Sequence, residues 1–132
     1  MDTDNVNDKH STVKSILVVD DSNTERKHLK ILLESKGYIV SEAESGSVAI
    51  DQVAKEKPDL ILLDIIMEGG DGYHTCRKLK RANDTRDISI IMISSKSNDV
   101  DKKWAMKLGA LDYFSKPYDD QELLNRIGKI EP

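Results

Sequence analysis

The stretch that decides the fold is PDLILLDIIMEGGDGY, residues 58–73. In it, four consecutive apolar residues, 60–63, lead directly into the carboxylate of Asp64. A short continuous apolar run that is bounded by turn residues is typical of a strand buried on both faces of a sheet. Because a fully buried, unpaired charge is costly, we expect Asp64 to lie at the end of this strand, where other groups compensate for its charge.

Other apolar runs, rich in β-branched residues, predict four further strands, at 16–19, 38–40, 88–93 and 111–114. Between the runs lie segments whose apolar residues have helical spacing: Leu29, Leu32 and Leu33; Val48, Ile50 and Val53; Leu123, Leu124, Ile127 and Ile130. Buried strands that alternate with amphipathic helices predict an α/β fold, a doubly wound five-stranded parallel sheet with helices on both faces.

Start and stop signals support this division into helices and strands. The sequence SNTE at 22–25 can form a capping box that begins the first helix, and DDQE at 119–122 can begin the last. Gly37 and Gly109 lie where helix C-termini need a left-handed residue. Trp104 has helical spacing with apolar neighbours in the fourth helical segment, which predicts a core position for its ring.

Composition and charge limit the classes of function. The net charge of −4 argues against nonspecific nucleic-acid binding, which needs a basic surface. No apolar stretch is long enough for membrane insertion, and a single cysteine excludes an internal disulfide, which is consistent with a cytoplasmic protein. We expect a disordered N-terminal tail at 1–13, because it is almost devoid of apolar residues, and one domain at 14–131.

Polar side chains follow each of the predicted strands, although those after the second strand, Ser41 and Glu42, offer less. Asp20 and Asp21 follow the first strand, Asp64 the third, Ser94 the fourth and Lys116 the fifth. Because the carboxyl ends of parallel strands meet at one edge of the sheet, where open α/β sheets bind ligands, these side chains should converge. The sequence therefore predicts a site made of three carboxylates, a hydroxyl and an ammonium group.

The charges of that site predict a metal ion. Two carboxylates about 4 Å apart repel each other by roughly 4 kcal/mol at an effective dielectric constant near 20. Lys116 neutralises one of the three negative charges, and Mg²⁺, a hard divalent cation that takes oxygen ligands, would neutralise the other two, with Asp20 and Asp21 as its paired ligands. The alternative is that Asp20 or Asp21 only caps the following helix, which would leave Asp64 and Lys116 unexplained.

A neutralised site of this kind suits phosphoryl transfer. Asp64 can act as a nucleophile toward phosphorus and form an aspartyl-phosphate. The metal and Lys116 would stabilise the charge on the phosphoryl oxygens, and Ser94 can donate a hydrogen bond to one of them. The glycines within 69–72 would leave the loop after Asp64 open and adaptable.

Four motifs, ILVVDDS, LILLDIIM…GGDGY, IIMISS and GALDYFSKP, lie in this order between residues 16 and 117. Together they resemble a bacterial two-component response-regulator receiver domain of the CheY-like type. The resemblance implies the strand order 2-1-3-4-5 and a phosphoryl group accepted on Asp64 from a histidine kinase. It also implies a signalling protein rather than an enzyme, one that catalyses only its own phosphorylation and slow dephosphorylation.

The same resemblance implies a role for each residue of the site. Asp20 and Asp21 would hold Mg²⁺ together with Asp64, Asp21 being the more direct ligand of the pair, and the backbone carbonyl of Ile66 would add a further ligand.

Ser94 and Lys116 would bind the phosphoryl group, and Tyr113 stands at the position of an aromatic switch. On phosphorylation Ser94 would move toward the phosphate and Tyr113 would turn inward, which reshapes the face formed by the fourth helix, the fifth strand and the fifth helix. The alternative is that Tyr113 is an ordinary strand aromatic.

The chain departs from the family pattern at Glu68, where a proline is usual. We expect the glutamate to change loop dynamics or phosphate lifetime rather than to abolish phosphorylation.

The sequences DIIM and ISSKSNDVDKKWAMKLGALDYFSKP resemble stand-alone receivers of type IV pilus (twitching) chemosensory systems. Because the chain ends soon after Lys116, we expect no output domain, and the protein would act through protein–protein contact or as a phosphate sink for a shared kinase. We also expect a monomer or weak dimer.

Two other classes of protein share the predicted architecture. A flavodoxin-like flavin carrier would need phosphate-binding donors in its first loop, where Asp20 and Asp21 would repel the phosphate. A hydrolase of the aspartyl-phosphate type usually has a second acid two residues after its nucleophile, where this chain has Ile66.

Overall fold

Strands and helices alternate along the part of the chain that the structure, a computed structural model, describes: residues 13–67, 72–95 and 99–131, with only the backbone of 99 and 100. These residues form β1 (Ser15–Val19), α1 (Asn23–Glu34), β2 (Ile39–Ala43), α2 (Gly46–Lys55), β3 (Leu60–Asp64), α3 (Gly72–Arg81), β4 (Ser89–Ser94), α4 (Asp99–Lys107), β5 (Asp112–Ser115) and α5 (Asp120–Gly128). The prediction of five βα units is confirmed.

All four strand pairings of the sheet are parallel, and the strand order is β2-β1-β3-β4-β5. The order implied by the family resemblance is thus confirmed. Because the chain runs outward from β1 to β2 and then crosses back to β3, the sheet has its switch point between β1 and β3. Val19 pairs with Leu63 there, so the residues that follow them, Asp20 and Asp64, emerge side by side at the carboxyl edge.

The strand β3 is buried along its whole length because helices cover both faces of the sheet. Ile61 and Leu63 pack in the layer that also holds residues of α2, α3 and α4. Leu60 and Leu62 pack in the opposite layer, with residues of α1 and α5. A strand with two buried faces needs apolar residues at every position, which explains the uninterrupted run at 60–63.

The predicted helix signals are confirmed in part. The Ser22 hydroxyl accepts the backbone N–H of Glu25 at 3.3 Å, and Gly37 and Gly109 have φ values of +91° and +103°. The second half of the capping box is wrong, because the backbone N–H of Ser22 donates to Asp20 at 2.9 Å and not to the Glu25 carboxylate. The glutamate carboxylate is therefore available to the site at the sheet edge.

Some expectations from the sequence are corrected or fall outside the described residues. Trp104 does not lie in the core: it is 43% exposed on α4, because none of the described helices and strands covers its side of that helix. Val13, the last residue of the predicted tail, is buried against the α1/α5 layer. Residues 1–12 and Glu68 lie outside the described residues. In the described part of the chain, none of the helices has the length and hydropathy required to cross a bilayer.

Candidate functional site

Three carboxylates meet at the carboxyl edge of the sheet. Asp64 ends β3, Asp20 follows β1, and both are buried, whereas Asp21 is exposed. One oxygen atom from each carboxylate lies within 4.8 Å of the others. The sheet brings these residues together because β1 and β3 are adjacent strands that run in the same direction.

Lys116 reaches this cluster from the end of β5. Its Nζ lies 2.7 Å from Glu25 Oε2, 3.1 Å from Asp20 Oδ2 and 3.3 Å from Asp64 Oδ2. The backbone N–H of Lys116 donates to the carbonyl of Ser94 at 2.7 Å, and the peptide bond from Lys116 to Pro117 is cis. Each of the three N–H donors of the ammonium group can face one carboxylate.

Burial and mutual repulsion destabilise the ionised forms of the carboxylates in this cluster. Burial raises the pKa of Asp20 to about 6, and the charge of Asp64 adds to this, while the Ser22 N–H and Lys116 oppose it. Burial also raises the pKa of Asp64 against the opposing effects of Lys116 and the Ile66 N–H, which donates to Asp64 Oδ1 at 3.1 Å. Both carboxylates thus bind a proton more readily than an ordinary aspartate does, and a further cation close to them would offset this effect.

The same carboxylates shift the pKa of the Lys116 ammonium group. Burial alone would lower the pKa of Lys116, but the hydrogen bond to Glu25 and the charges of Asp64 and Asp20 outweigh burial and raise it. Lys116 therefore stays charged, yet the site holds one ammonium and four carboxylates once Glu25 and Asp21 are counted. Oxygen donors with excess negative charge fit Mg²⁺, so the residues present match the metal that the family resemblance implies.

Ser94 and Tyr113 form a second, buried part of the site. Ser94 is fully buried at the end of β4, and Tyr113, on the neighbouring strand β5, is only 8% exposed. The two side chains are hydrogen-bonded to each other; burial raises the pKa of Tyr113, and this hydrogen bond opposes the rise. The aromatic ring is thus already turned inward in this structure.

Gly72 has a different role from the one expected of the glycines at 69–72. A Cβ atom on Gly72 would lie 2.4 Å from the carbonyl oxygen of Asp64 and 2.7 Å from the Cα of Ile65. The Gly72 N–H also donates to the Ile65 carbonyl at 2.7 Å. This glycine therefore lets α3 begin in close contact with the end of β3, whereas residues 69–71 lie outside the described residues.

The structure brings together Asp20, Asp21, Asp64 and Lys116, as the sequence predicts. The roles proposed for these residues stay predictions, as do those of Ser94, Tyr113 and the Ile66 carbonyl.

Sequence reasoning missed Glu25 as a member of the site and assigned it to helix capping alone. Its spacing offers a signal, because Glu25 follows Asp21 by four residues in the first turn of the helix that begins at the sheet edge.

Comparison with known proteins agrees with this geometry. A family model described as the response regulator receiver domain matches residues 16–128. Protein PilH of Pseudomonas aeruginosa is 39% identical over 115 residues, which cover 87% of this chain and 95% of that protein.

Solved structures give the same result. The signal receiver domain of a signal transduction histidine kinase from Syntrophus aciditrophicus superposes with a TM-score of 0.80 at 36% identity, covering 86% of each chain. Chemotaxis protein CheY4 of Vibrio cholerae superposes with a TM-score of 0.82, covering 88% of this chain and 97% of that chain; its 24% identity bears on the fold alone.

The chain therefore belongs to the response regulator receiver domain family, a class of proteins that signal by phosphorylation. Within this family it is a homologue of PilH. The family resemblance and the fold class inferred from the sequence are both confirmed.

Proposed function

We propose that this chain is a switch that accepts a phosphoryl group on Asp64 from a phosphohistidine of a histidine kinase. The observation that carries the proposal is the position of Asp64: its carboxylate ends the central strand, is held by Lys116 at 3.3 Å and lies in one cluster with Asp20 and Asp21. A carboxylate oxygen of Asp64 attacks phosphorus, and the bond from phosphorus to the donor's imidazole nitrogen breaks.

The neighbouring side chains supply the electrostatic part of this reaction. The ammonium group of Lys116 binds an oxygen of the transferring phosphoryl group, and the Ser94 hydroxyl donates a hydrogen bond to another. Asp20, Asp21, Asp64 and the Ile66 carbonyl would hold Mg²⁺. When bound, this ion neutralises the carboxylates and the phosphoryl oxygens so that the two anions can approach each other.

The signal would leave through the face formed by α4, β5 and α5. Tyr113 lies at the inner side of this face in contact with Ser94, and α4 exposes Trp104 and Met106, at 43% and 44%. Exposed apolar side chains of this size suit a protein partner. The output is then either contact with such a partner or, in the absence of a partner, the removal of phosphoryl groups from a shared kinase.

The pathway is proposed from two observations. The segment around SSKS and the final KP motif resembles stand-alone receivers of type IV pilus chemosensory systems, and the chain is 39% identical to PilH. A cytoplasmic location, a monomeric or weakly dimeric state and enzymatic activity limited to self-phosphorylation and dephosphorylation belong to the same proposal.

Incubation with acetyl phosphate and Mg²⁺ tests the proposal. Mass spectrometry should show one added phosphate, placed on Asp64, that is lost slowly, and Asp64→Asn should prevent the addition. Asp51→Asn is a matched control, because Asp51 is exposed on α2 and makes no ion pair among the described residues. Many turnovers of the donor would favour a hydrolase, a spectral shift on addition of flavin would favour a flavin carrier, and normal phosphorylation of Asp64→Asn would contradict the assignment.

A further inference from the structure

The carboxylate of Glu25 makes the shortest of the three contacts to Lys116. It is not one of the three carboxylates that form the candidate metal cluster. We propose that Glu25 is a positioning residue that holds Lys116 in the unphosphorylated protein and competes with the phosphoryl group for this ammonium. The inference rests on the proposed phosphorylation of Asp64 and names a residue that limits it.

The three carboxylates that surround Lys116 are not equivalent. Asp20 and Asp64 are buried, with side chains only 4% and 7% exposed, and both belong to the cluster that would hold the metal. Asp20 also accepts the backbone N–H of Ser22 at 2.9 Å, which fixes its orientation. Glu25 approaches from the first turn of α1, and its side chain is 45% exposed. Of the three, Glu25 can turn into solvent at the lowest cost in buried polar contacts.

A phosphoryl group that approaches the ionised Asp64 meets an ammonium group whose donors are all engaged. The ammonium has three N–H donors, and each has a carboxylate within 3.3 Å. While Asp64 still contacts Lys116, an incoming phosphoryl oxygen can bind the ammonium well only if another carboxylate withdraws, and of Asp20 and Glu25 it is Glu25 that can do so at the lower cost. Glu25 also adds a negative charge close to the place that the phosphoryl group, itself carrying about −2, must occupy.

This competition predicts effects of opposite sign on anions and cations. Without the Glu25 charge, the site should bind a phosphoryl-like anion more tightly, because Lys116 is free to bind it. The same change should weaken Mg²⁺ binding, because a nearby negative charge is lost and Lys116 pairs more closely with Asp20 and Asp64. A residue that only supports the fold would change both affinities in the same direction or neither.

The test uses Glu25→Gln, with Glu34→Gln as its matched control. Glu34 lies at the other end of the same helix, is exposed, and makes no ion pair in the described part of the chain, so its replacement removes the same net charge away from the site. Both variants should fold, because the Ser22 cap is bonded to the backbone N–H of Glu25 and not to its side chain.

Two affinities are measured by calorimetry: that for beryllofluoride, a phosphoryl mimic, at saturating Mg²⁺, and that for Mg²⁺ alone. For Glu25→Gln we expect beryllofluoride to bind about three- to tenfold more tightly and Mg²⁺ about two- to fivefold more weakly, while Glu34→Gln matches the wild type. Beryllofluoride binding that is unchanged or weaker in Glu25→Gln overturns the inference alone. Failure of the wild-type protein to bind beryllofluoride overturns the proposed function, and this inference with it.

Discussion

The side chains of Tyr113 and Ser94 are hydrogen-bonded to each other across the neighbouring strands β5 and β4, and both are buried. Ser94 lies at the carboxyl edge, where the phosphoryl group is proposed to bind, and Tyr113 lies beneath the proposed output face. The pair therefore links the two surfaces directly. Tyr113 is already turned inward, so the packing of this chain accommodates the ring in that orientation.

This pair gives the first prediction. Ser94→Ala removes the hydroxyl that would donate to the phosphoryl group, so phosphorylation of Asp64 by acetyl phosphate should slow by about tenfold or more. Tyr113→Phe removes only the phenolic oxygen and should leave that rate within about twofold of the wild type.

In urea unfolding, Ser94→Ala should cost about 1 to 3 kcal/mol, because a buried phenol loses its partner, and Tyr113→Phe about 1 kcal/mol. Ser95→Ala, at the exposed neighbouring position, is the control. Strictly additive effects in the double variant would contradict the hydrogen bond.

The pKa of Asp20 predicts how stability depends on pH in the metal-free protein. Its folded pKa of about 6 lies above the ordinary value of 3.8, so its contribution to stability is complete below about pH 4 and is lost as the pH rises through 6. With EDTA present, Asp20→Asn should therefore gain about 2 kcal/mol relative to the wild type between pH 4 and pH 7.5.

Urea unfolding at a series of pH values measures this difference, and Asp51→Asn serves as the control. Saturating Mg²⁺ should remove the gain, because the wild-type carboxylates are then neutralised by the ion. If the difference in unfolding free energy between Asp20→Asn and the wild type does not depend on pH, Asp20 does not titrate as stated.

Lys116 competes with metal for the same oxygens, which gives a third prediction. Lys116→Met leaves Asp20 and Asp64 without their ammonium partner, so Mg²⁺ should bind about threefold to tenfold more tightly. The metal-free protein should be less stable, because buried charges lose compensation. Lys102→Met, at an exposed position of α4, is the control for net charge. Weaker Mg²⁺ binding to Lys116→Met would mean that the lysine supports the metal site rather than competing with it.

The close approach of Gly72 to β3 gives a fourth prediction. Gly72→Ala places a methyl group 2.4 Å from the Asp64 carbonyl oxygen, so the strand end must shift, at a cost of about 1 to 3 kcal/mol in unfolding free energy. Because the shift moves Asp64, phosphorylation should also slow. Gly128→Ala is the matched control, since nothing lies within 4 Å of its added Cβ, and it should be neutral or slightly stabilising. Equal stability of the two variants would contradict the contact.

Local patterns in the sequence were sufficient to predict the strands, the helices and their layers, whereas the strand order came from the family resemblance. The run at 60–63 marks a strand with two buried faces, and the helical stripes mark the layers that cover it, because burial requires apolar residues at those positions. The meeting of Asp20, Asp64 and Lys116 followed from a rule of topology: parallel strands end at one edge. Trp104 was placed wrongly because helical spacing alone does not say whether a neighbouring element covers that side of the helix.

What the sequence by itself determined was the set of elements, the layered architecture and the charged groups at the carboxyl edge, since each depends on residues close together in the chain. Only the tertiary structure decided which partners those groups choose. Glu25 reads as a capping residue in isolation, but Lys116, 91 positions away, draws its carboxylate into the site. From the sequence, Gly72 is expected to belong to an open, adaptable loop, yet the packing of α3 against β3 places it in close contact with the end of that strand. Such choices depend on distances between elements, which the sequence pattern does not contain.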